Sequence, residues 1–201
     1  MSAVLSPAGR RLVAMAALSA MALCPIAAHA GLDITAYERV SLVASPRLNA
    51  EGEPLDRKEV RLDVVHFPER AEGLTPGKVY RFQTSFEFRA GSYSGYSAWR
   101  NELAKLGGYP PTMASFLRGN PPEPRYDATA WQRKSGPFWE LIAFSDAEGL
   151  IGPVTCQRVH ADFIRFQPAA DKHPDAEFRE SYADWAKAFR LCANGGAIVF
   201  H

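Results

Sequence analysis

The sequence lacks the short motifs that identify common classes of enzyme. It has no serine-nucleophile elbow, no phosphate-binding loop ending in Gly-Lys-Ser/Thr, no paired metal-binding histidines and no dinucleotide-binding fingerprint. We therefore predict no cofactor and no bound metal, and we favour a protein that is not an enzyme. An enzyme with an unfamiliar site stays open as an alternative.

A long apolar run occurs only near the start of the chain. Two arginines precede the run LVAMAALSAMALC, Pro25 interrupts it, and the small residues Ala28 and Ala30 follow. This pattern is typical of a secretory signal peptide that is cleaved after Ala30. We therefore predict that residues 1–30 are a signal peptide and that residues 31–201 form a periplasmic or secreted protein without a membrane span.

The predicted mature chain has almost no net charge. Removing Arg10 and Arg11 leaves 21 of the 23 Lys and Arg residues against all 22 Asp and Glu residues, which gives a formal charge of −1. Proteins that bind nucleic acid or anionic membranes usually carry a basic excess or patch. We expect no nucleic-acid partner, and instead an unidentified small anionic ligand or protein partner.

Residues 31–201 predict one α+β domain with an antiparallel or mixed sheet. Alternating or short apolar runs predict strands at residues 31–44, 58–67, 79–89, 137–146 and 195–201. Apolar residues at helical spacing predict a helix over 96–106, after the third strand. The Pro- and Gly-rich segment 107–137 predicts a long irregular loop.

Two amphipathic segments between residues 152 and 195 predict a C-terminal antiparallel α-hairpin. The first helix starts at Gly152-Pro153, and the second ends at Asn194-Gly195. Their apolar stripes match in register about a turn near residue 174. The register pairs Ala170 with Phe178, Phe166 with Tyr182, Phe163 with Trp185, Val159 with Phe189 and Cys156 with Cys192.

The three cysteines of the sequence become two when the predicted leader, which contains Cys24, is removed. An exported protein meets oxidising conditions, so we predict a disulfide between Cys156 and Cys192 that closes the hairpin. The chain-entropy model gives it a contribution of about 3–4 kcal/mol. His160 shares a helix face with Cys156, which makes a thiolate and imidazole metal site the alternative, but no fourth ligand is evident nearby.

The segment RAGSYSGYSAWRNELAKL, residues 89–106, joins the third predicted strand to the first predicted helix. Glycine-rich backbone at a helix N-terminus presents free N–H groups, and an arginine lies on each side. We predict a ligand site in which the arginines hold an anion and the tyrosines stack on a sugar or ring. Its residues are Arg89, Ser92, Tyr93, Tyr96 and Arg100.

The alternative for this segment is a structural corner. In that interpretation Gly91 and Gly95 accept unusual dihedral angles, Ser94 caps the helix, and Trp99 belongs to the core. The sequence leaves both interpretations open.

Asp146 and Glu148 lie two positions apart where a strand is predicted to end, and His201 ends the last predicted strand. Together they are candidates for a hydrolase-like or metal-dependent catalytic site. The alternative is a turn in which Glu148 faces solvent and the terminal His201 packs at an edge.

Five blocks in the predicted mature chain resemble an uncharacterised family of small bacterial and phage proteins. The blocks are GLDITAY, FRAGSYSGYSAWRNELAKL, SGPFWELIAFSDAEGLIGP, YADWAKAF and NGGAIVFH. The family has no established activity, so the resemblance implies no catalytic residues. Its members usually begin with methionine directly before Gly-Leu-Asp-Ile, often carry cysteine at the position of Ala147, and carry other residues at Cys156 and Cys192. The resemblance implies an exported form of a usually cytoplasmic domain, adapted to an oxidising compartment.

The leading functional hypothesis from the sequence is an exported, non-enzymatic binding or interaction protein. It would engage its ligand over the 89–100 corner and the 107–137 loop. The alternatives are an enzyme that uses Asp146, Glu148 and His201, and a structural or inhibitory partner of another protein.

Overall fold

Helices and antiparallel strands make up the fold, which confirms the predicted α+β class. The computed structural model describes residues 31–63, 66–115, 119, 121–144 and 146–201, so the predicted signal peptide lies outside the described residues. The strands are β1 (Asp33–Glu38), β2 (Ser41–Leu42), β3 (Glu59–Leu62), β4 (Lys78–Arg81), β5 (Thr84–Arg89), β6 (Thr112–Ala114), β7 (Glu123–Arg125), β8 (Gly149–Ile151) and β9 (Ala197–Phe200). The helices are α1 (Tyr93–Leu106), α2 (Asp127–Arg133), α3 (Trp139–Ile142), α4 (Pro153–Ala170) and α5 (Ala176–Ala193), with a 3₁₀ turn at Pro68–Ala71.

The largest sheet has the strand order β5-β1-β9-β8, and each neighbouring pair is antiparallel. Ile34 and Ala36 of β1 are buried on the face predicted from their alternation. The predicted last strand is confirmed as β9, which lies between β1 and β8. Helix α5 packs against β1 and β9, so the apolar face of this sheet forms the main core with the helices.

The strand predicted over residues 79–89 is wrong as a single element, because the chain changes sheets within it. Strand β4 lies in a second, three-stranded sheet with the order β2-β4-β3, whereas β5 is in the main sheet. At the crossing, the Phe82 amide donates to the carbonyl of Lys58, and the Gln83 amide donates to the carbonyl of Glu38, both at 3.0 Å. The alternating pattern continues through the crossing, so it does not reveal the division.

The strand predicted over residues 137–146 is also wrong, since this segment contains the short helix α3. Phe138 precedes the helix with a left-handed φ of 58°, and its amide donates to the Asp162 carboxylate at 2.8 Å. Leu141 and Ile142 are fully buried. A short apolar run satisfies a buried strand or a buried helix equally well, because both faces are apolar.

The segment 107–137 is more regular than predicted. It contains the hairpin of β6 and β7 and the helix α2. The Thr129 hydroxyl donates to the Pro110 carbonyl at 2.8 Å, which ties α2 to the start of the hairpin. The segment therefore contains several short elements rather than one irregular loop.

The predicted α-hairpin and its disulfide are confirmed. Helices α4 and α5 pack together, and Cys156 and Cys192 are bonded, with their Cα atoms 5.7 Å apart. In the middle of the hairpin, the observed contacts differ from the predicted ones. Phe163 packs against Tyr182 and Phe189, while Trp185 turns towards the sheet and α1.

Trp185 is the centre of the aromatic core and is almost fully buried. Five rings, from three other elements and from its own helix α5, lie with their centroids between 5.0 and 6.1 Å from the Trp185 ring centroid. These rings belong to Phe88, Tyr96, Trp99, Phe189 and Phe200. One side chain therefore joins β5, α1, α5 and β9, and this cluster fixes α1 against the main sheet.

Candidate functional site

The corner between β5 and α1 has a structural explanation for its small residues. Gly91 has a φ of 97°, which only glycine adopts readily. Ser92 is the N-cap of α1, and its hydroxyl accepts a hydrogen bond from the Gly95 amide at 3.1 Å. The helix begins at Tyr93, earlier than the predicted start at residue 96, and the predicted cap Ser94 lies inside it.

We expect Ser92→Ala to lower the free energy of unfolding by about 1 kcal/mol, because the Gly95 amide loses its acceptor. Ser94→Ala is the matched control, since its hydroxyl contacts the Ser92 hydroxyl at 3.1 Å and caps no amide. Urea unfolding monitored by circular dichroism measures both variants. Equal effects of the two substitutions would contradict the assignment of Ser92 as the cap.

The five predicted ligand residues do not form one site. Arg89 forms an ion pair with Asp33 at 3.9 Å, at the start of β1. Tyr93 is 42% exposed, whereas Tyr96 is fully buried and stacks on neighbouring indole rings of the core. Burial raises the pKa of the Tyr96 hydroxyl, which has no hydrogen-bond partner among the described residues. Tyr96 is therefore a core residue and does not face a ligand.

A cleft of about 310 Å³ lies beside Gly91, where the sequence predicts an anion. Its floor includes Trp99 and Phe178, and its charged lining residues are Glu102, Asp175 and Glu177. Three carboxylates repel an anion. The prediction of an anion site at this end of α1 is therefore not supported by the local charge.

Arg100 lies on the buried side of α1 and is 6% exposed. Its guanidinium donates to the carbonyls of Ile142 and Phe144 at 3.4 and 2.8 Å. It lies 3.7 Å from the Asp146 carboxylate and 4.5 Å from the centroid of the Tyr96 ring. Its Nε atom is buried and has no partner among the described residues. One N–H donor of this cation is therefore enclosed by the protein and unsatisfied among the described residues.

A second cleft, which we call the α1–α2 cleft, has a volume of about 400 Å³. It lies between α1 and residues 114–115 and 125–132, and Arg100 contributes to its wall. The lining residues are Ser97, Arg100, Ala114, Ser115, Arg125, Asp127, Ala128, Trp131 and Gln132. Unlike the cleft beside Gly91, it has two arginines and one carboxylate in its lining.

Arg125 organises the polar wall of the α1–α2 cleft. Its guanidinium donates to both carboxylate oxygens of Asp127 at 3.0 and 2.6 Å, and to the Ser97 hydroxyl at 3.2 Å. The hydrogen bonds to Asp127 raise the pKa of the Arg125 guanidinium. Asn101 of α1 accepts from the Tyr126 amide at 2.8 Å and fixes the start of α2. Arg125 also pairs with the Glu123 carboxylate at 3.3 Å, so two carboxylates and a hydroxyl hold its guanidinium in the wall.

Sequence reasoning missed Ser97, Arg125, Asp127 and Trp131. The sequence signal was the short run Arg125-Tyr126-Asp127, in which the arginine that ends β7 and the aspartate that begins α2 lie two positions apart. Only the packing of α2 on α1 brings this pair to Ser97 and Arg100. Trp131 is 41% exposed at the cleft, which is unusual for so large an aromatic side chain.

The candidate catalytic residues lie in two places. Asp146 pairs with Arg100, whereas Glu148 and His201 line a different cleft of about 420 Å³. The His201 ring Nε2 lies 2.9 Å from the Thr35 hydroxyl oxygen. Among the described residues, no group of three or more His, Cys, Asp or Glu side chains is arranged to hold a metal ion. The disulfide also removes Cys156 and Cys192 as thiolate ligands beside His160.

The chain was compared with protein-family models, with curated proteins and with solved structures, and nothing matches in any of the three. Within the described ranges, no helix is both long and apolar enough to cross a membrane. The fold and the α1–α2 cleft are therefore the basis for a functional argument.

Proposed function

We propose that this protein is a non-enzymatic binding protein whose ligand occupies the α1–α2 cleft. The observation that carries the proposal is the concentration of buried polar groups there. The described residues include nine buried polar or charged side chains, and four of them line this one cleft. These four are Ser97, Arg100, Arg125 and Asp127. Charged side chains are rarely buried without a structural or binding role, so their concentration supports a binding site.

The lining of the cleft favours a small ligand with an anionic group and a planar ring or sugar. Arg100 and Arg125 both line the cleft, and a guanidinium group is a charged donor to an oxyanion. Trp131 offers an exposed ring for stacking. A volume of about 400 Å³ lies in the range of small-molecule sites.

The chemistry of the cleft favours binding over catalysis. Asp127 is the one carboxylate among its lining residues, and Arg125 holds both of its oxygens. A general base needs an oxygen that can take a proton from a bound substrate. The fixed carboxylate instead orients Arg125.

Export to the periplasm or the cell exterior remains part of this proposal. It rests on the sequence pattern of residues 1–30, and the Cys156–Cys192 disulfide supports it because such bonds persist in oxidising compartments.

A thermal-shift screen of the mature chain tests the ligand class. The probes are inorganic phosphate, nucleoside monophosphates, sugar phosphates and aromatic carboxylates, with uncharged nucleosides and sugars as controls. We expect an anionic ring-containing probe to raise the unfolding temperature, because a ligand of the folded state stabilises it. A response to no anionic probe, or to the uncharged controls alone, contradicts the proposed ligand class.

Titration calorimetry with the probe that gives the largest thermal shift tests whether the ligand binds in the α1–α2 cleft. Two variants are compared. Trp131→Ala is expected to weaken binding about tenfold through loss of stacking. Tyr93→Ala is the matched control, because its ring is exposed to nearly the same degree, 42% against 41%, but lies at the corner near Gly91. If Tyr93→Ala weakens binding and Trp131→Ala does not, the corner is the site and our assignment is wrong.

A further inference from the structure

Among the described residues, the main sheet has one covered edge and one edge without a partner strand. At one end, β8 has three buried residues, and the 3₁₀ turn lies beside it, with the Gly152 amide donating to the Arg70 carbonyl at 2.7 Å. At the other end, β5 has six residues and contains no proline. No strand of the described ranges pairs with its outer side. Such an edge is a template for another strand.

The hydrogen bonds of β1 show which groups of β5 face outward. The Asp33 carbonyl accepts from the His201 amide, so Asp33 directs its backbone towards β9. The next residue, Ile34, therefore directs its backbone towards its partner Phe88 on β5. Alternation then places the backbone N–H and C=O groups of Ser85, Glu87 and Arg89 on the outer side. Their side chains lie on the exposed face of the strand.

We propose that the β5 edges of two copies of this chain pair antiparallel and form a two-fold symmetric dimer with one continuous sheet. A second copy is the occupant because a two-fold axis makes the edge complementary to itself in both backbone and charge. The outward backbone groups of one copy must pair with the outward backbone groups of the other. Ser85, Glu87 and Arg89 can therefore lie opposite only odd-numbered residues of the second copy.

Charge selects one of these registers. A pairing centred on Glu87 places two glutamates directly opposite each other, which is unfavourable. A pairing centred on Phe86 places Glu87 opposite Ser85 and gains no charge pair. A pairing centred on Phe88 places Glu87 of each copy opposite Arg89 of the other. Arg89 keeps its contact with Asp33 in this register and lies between two carboxylates.

Sedimentation equilibrium of the mature chain over a range of concentrations tests the dimer, with charge reversal as the probe of register. We expect the wild-type chain to be dimeric and Glu87→Arg to raise the dissociation constant at least tenfold, because two opposite-charge pairs become like-charge pairs. The combined change Glu87→Arg with Arg89→Glu is expected to restore dimerisation. Glu180→Arg, an exposed position on α5, is the control and should change nothing.

Hydrogen exchange keeps the test decisive if a variant folds poorly. In the wild-type chain, the amides of Ser85, Glu87 and Arg89 should gain protection as the concentration rises. A monomer at all concentrations overturns the proposal. A dimer that Glu87→Arg leaves intact, or that the double exchange fails to rescue while all variants retain the wild-type circular dichroism spectrum, overturns it too.

Discussion

Trp185→Ala is expected to lower the free energy of unfolding by about 3–5 kcal/mol, because it empties the centre of the aromatic core. The side chain is 1% exposed and contacts rings from β5, α1 and β9 as well as its own helix. Truncation removes these contacts and leaves a cavity that rigid elements on several sides cannot fill. Urea unfolding at equilibrium, monitored by far-ultraviolet circular dichroism, measures the change.

Trp131→Ala provides the matched control for this experiment. The same atoms are removed, but Trp131 is 41% exposed and contributes little to the core. We expect a loss below about 1 kcal/mol. If the two tryptophan variants unfold at the same urea concentration, Trp185 does not hold the elements together as its ring contacts indicate.

The sequence predicted those parts of the fold that repeat a regular pattern over many residues. The stripes of α4 and α5 extend over several turns, so their helical period and their antiparallel register were both readable. The register predicted the Cys156–Cys192 pair correctly. It failed for Phe163 and Trp185, because α5 also packs on the sheet and directs Trp185 to that side.

Short elements were predicted poorly because their patterns allow two structures. The run around Leu141 and Ile142 is apolar apart from Glu140, and such a run fits α3 as well as a strand. The alternation from residue 79 to residue 89 is maintained while the chain passes from one sheet to the next at Phe82 and Gln83. Each error arose where tertiary contacts, rather than local sequence, decide the structure.

The candidate site could be predicted only in part, for the same reason. Arg100 was predicted as a ligand residue from its place near a glycine-rich corner, but its partners come from segments 42 to 46 positions away in the chain. Arg125 reaches Ser97 only because Asn101 holds the start of α2 against α1. Tyr96, which was predicted to stack on a ligand, instead stacks on the core rings.

Removing the disulfide is expected to destabilise the fold almost as much as removing the Trp185 ring. Cys156→Ala combined with Cys192→Ala should lower the free energy of unfolding by about 3–4 kcal/mol, because the unfolded chain regains the freedom of the segment between two cysteines 36 positions apart. Both residues are fully buried. Urea unfolding of residues 31–201 with and without dithiothreitol measures the effect. Reductant should lower the midpoint of the wild-type chain and leave that of the double variant unchanged.

We also expect the disulfide to stabilise one part of the main sheet more than the rest. Cys156 lies in the first turn of α4, shortly after β8, and Cys192 lies in the last turn of α5, shortly before β9. The bond therefore joins the start of α4, which follows β8, to the end of α5, which precedes β9. Strands β8 and β9 are neighbours in the sheet. We expect the amides shared by β8 and β9 to lose hydrogen-exchange protection in the double variant more than those between β1 and β5. A uniform loss across all four strands would mean that the disulfide acts on the unfolded chain alone.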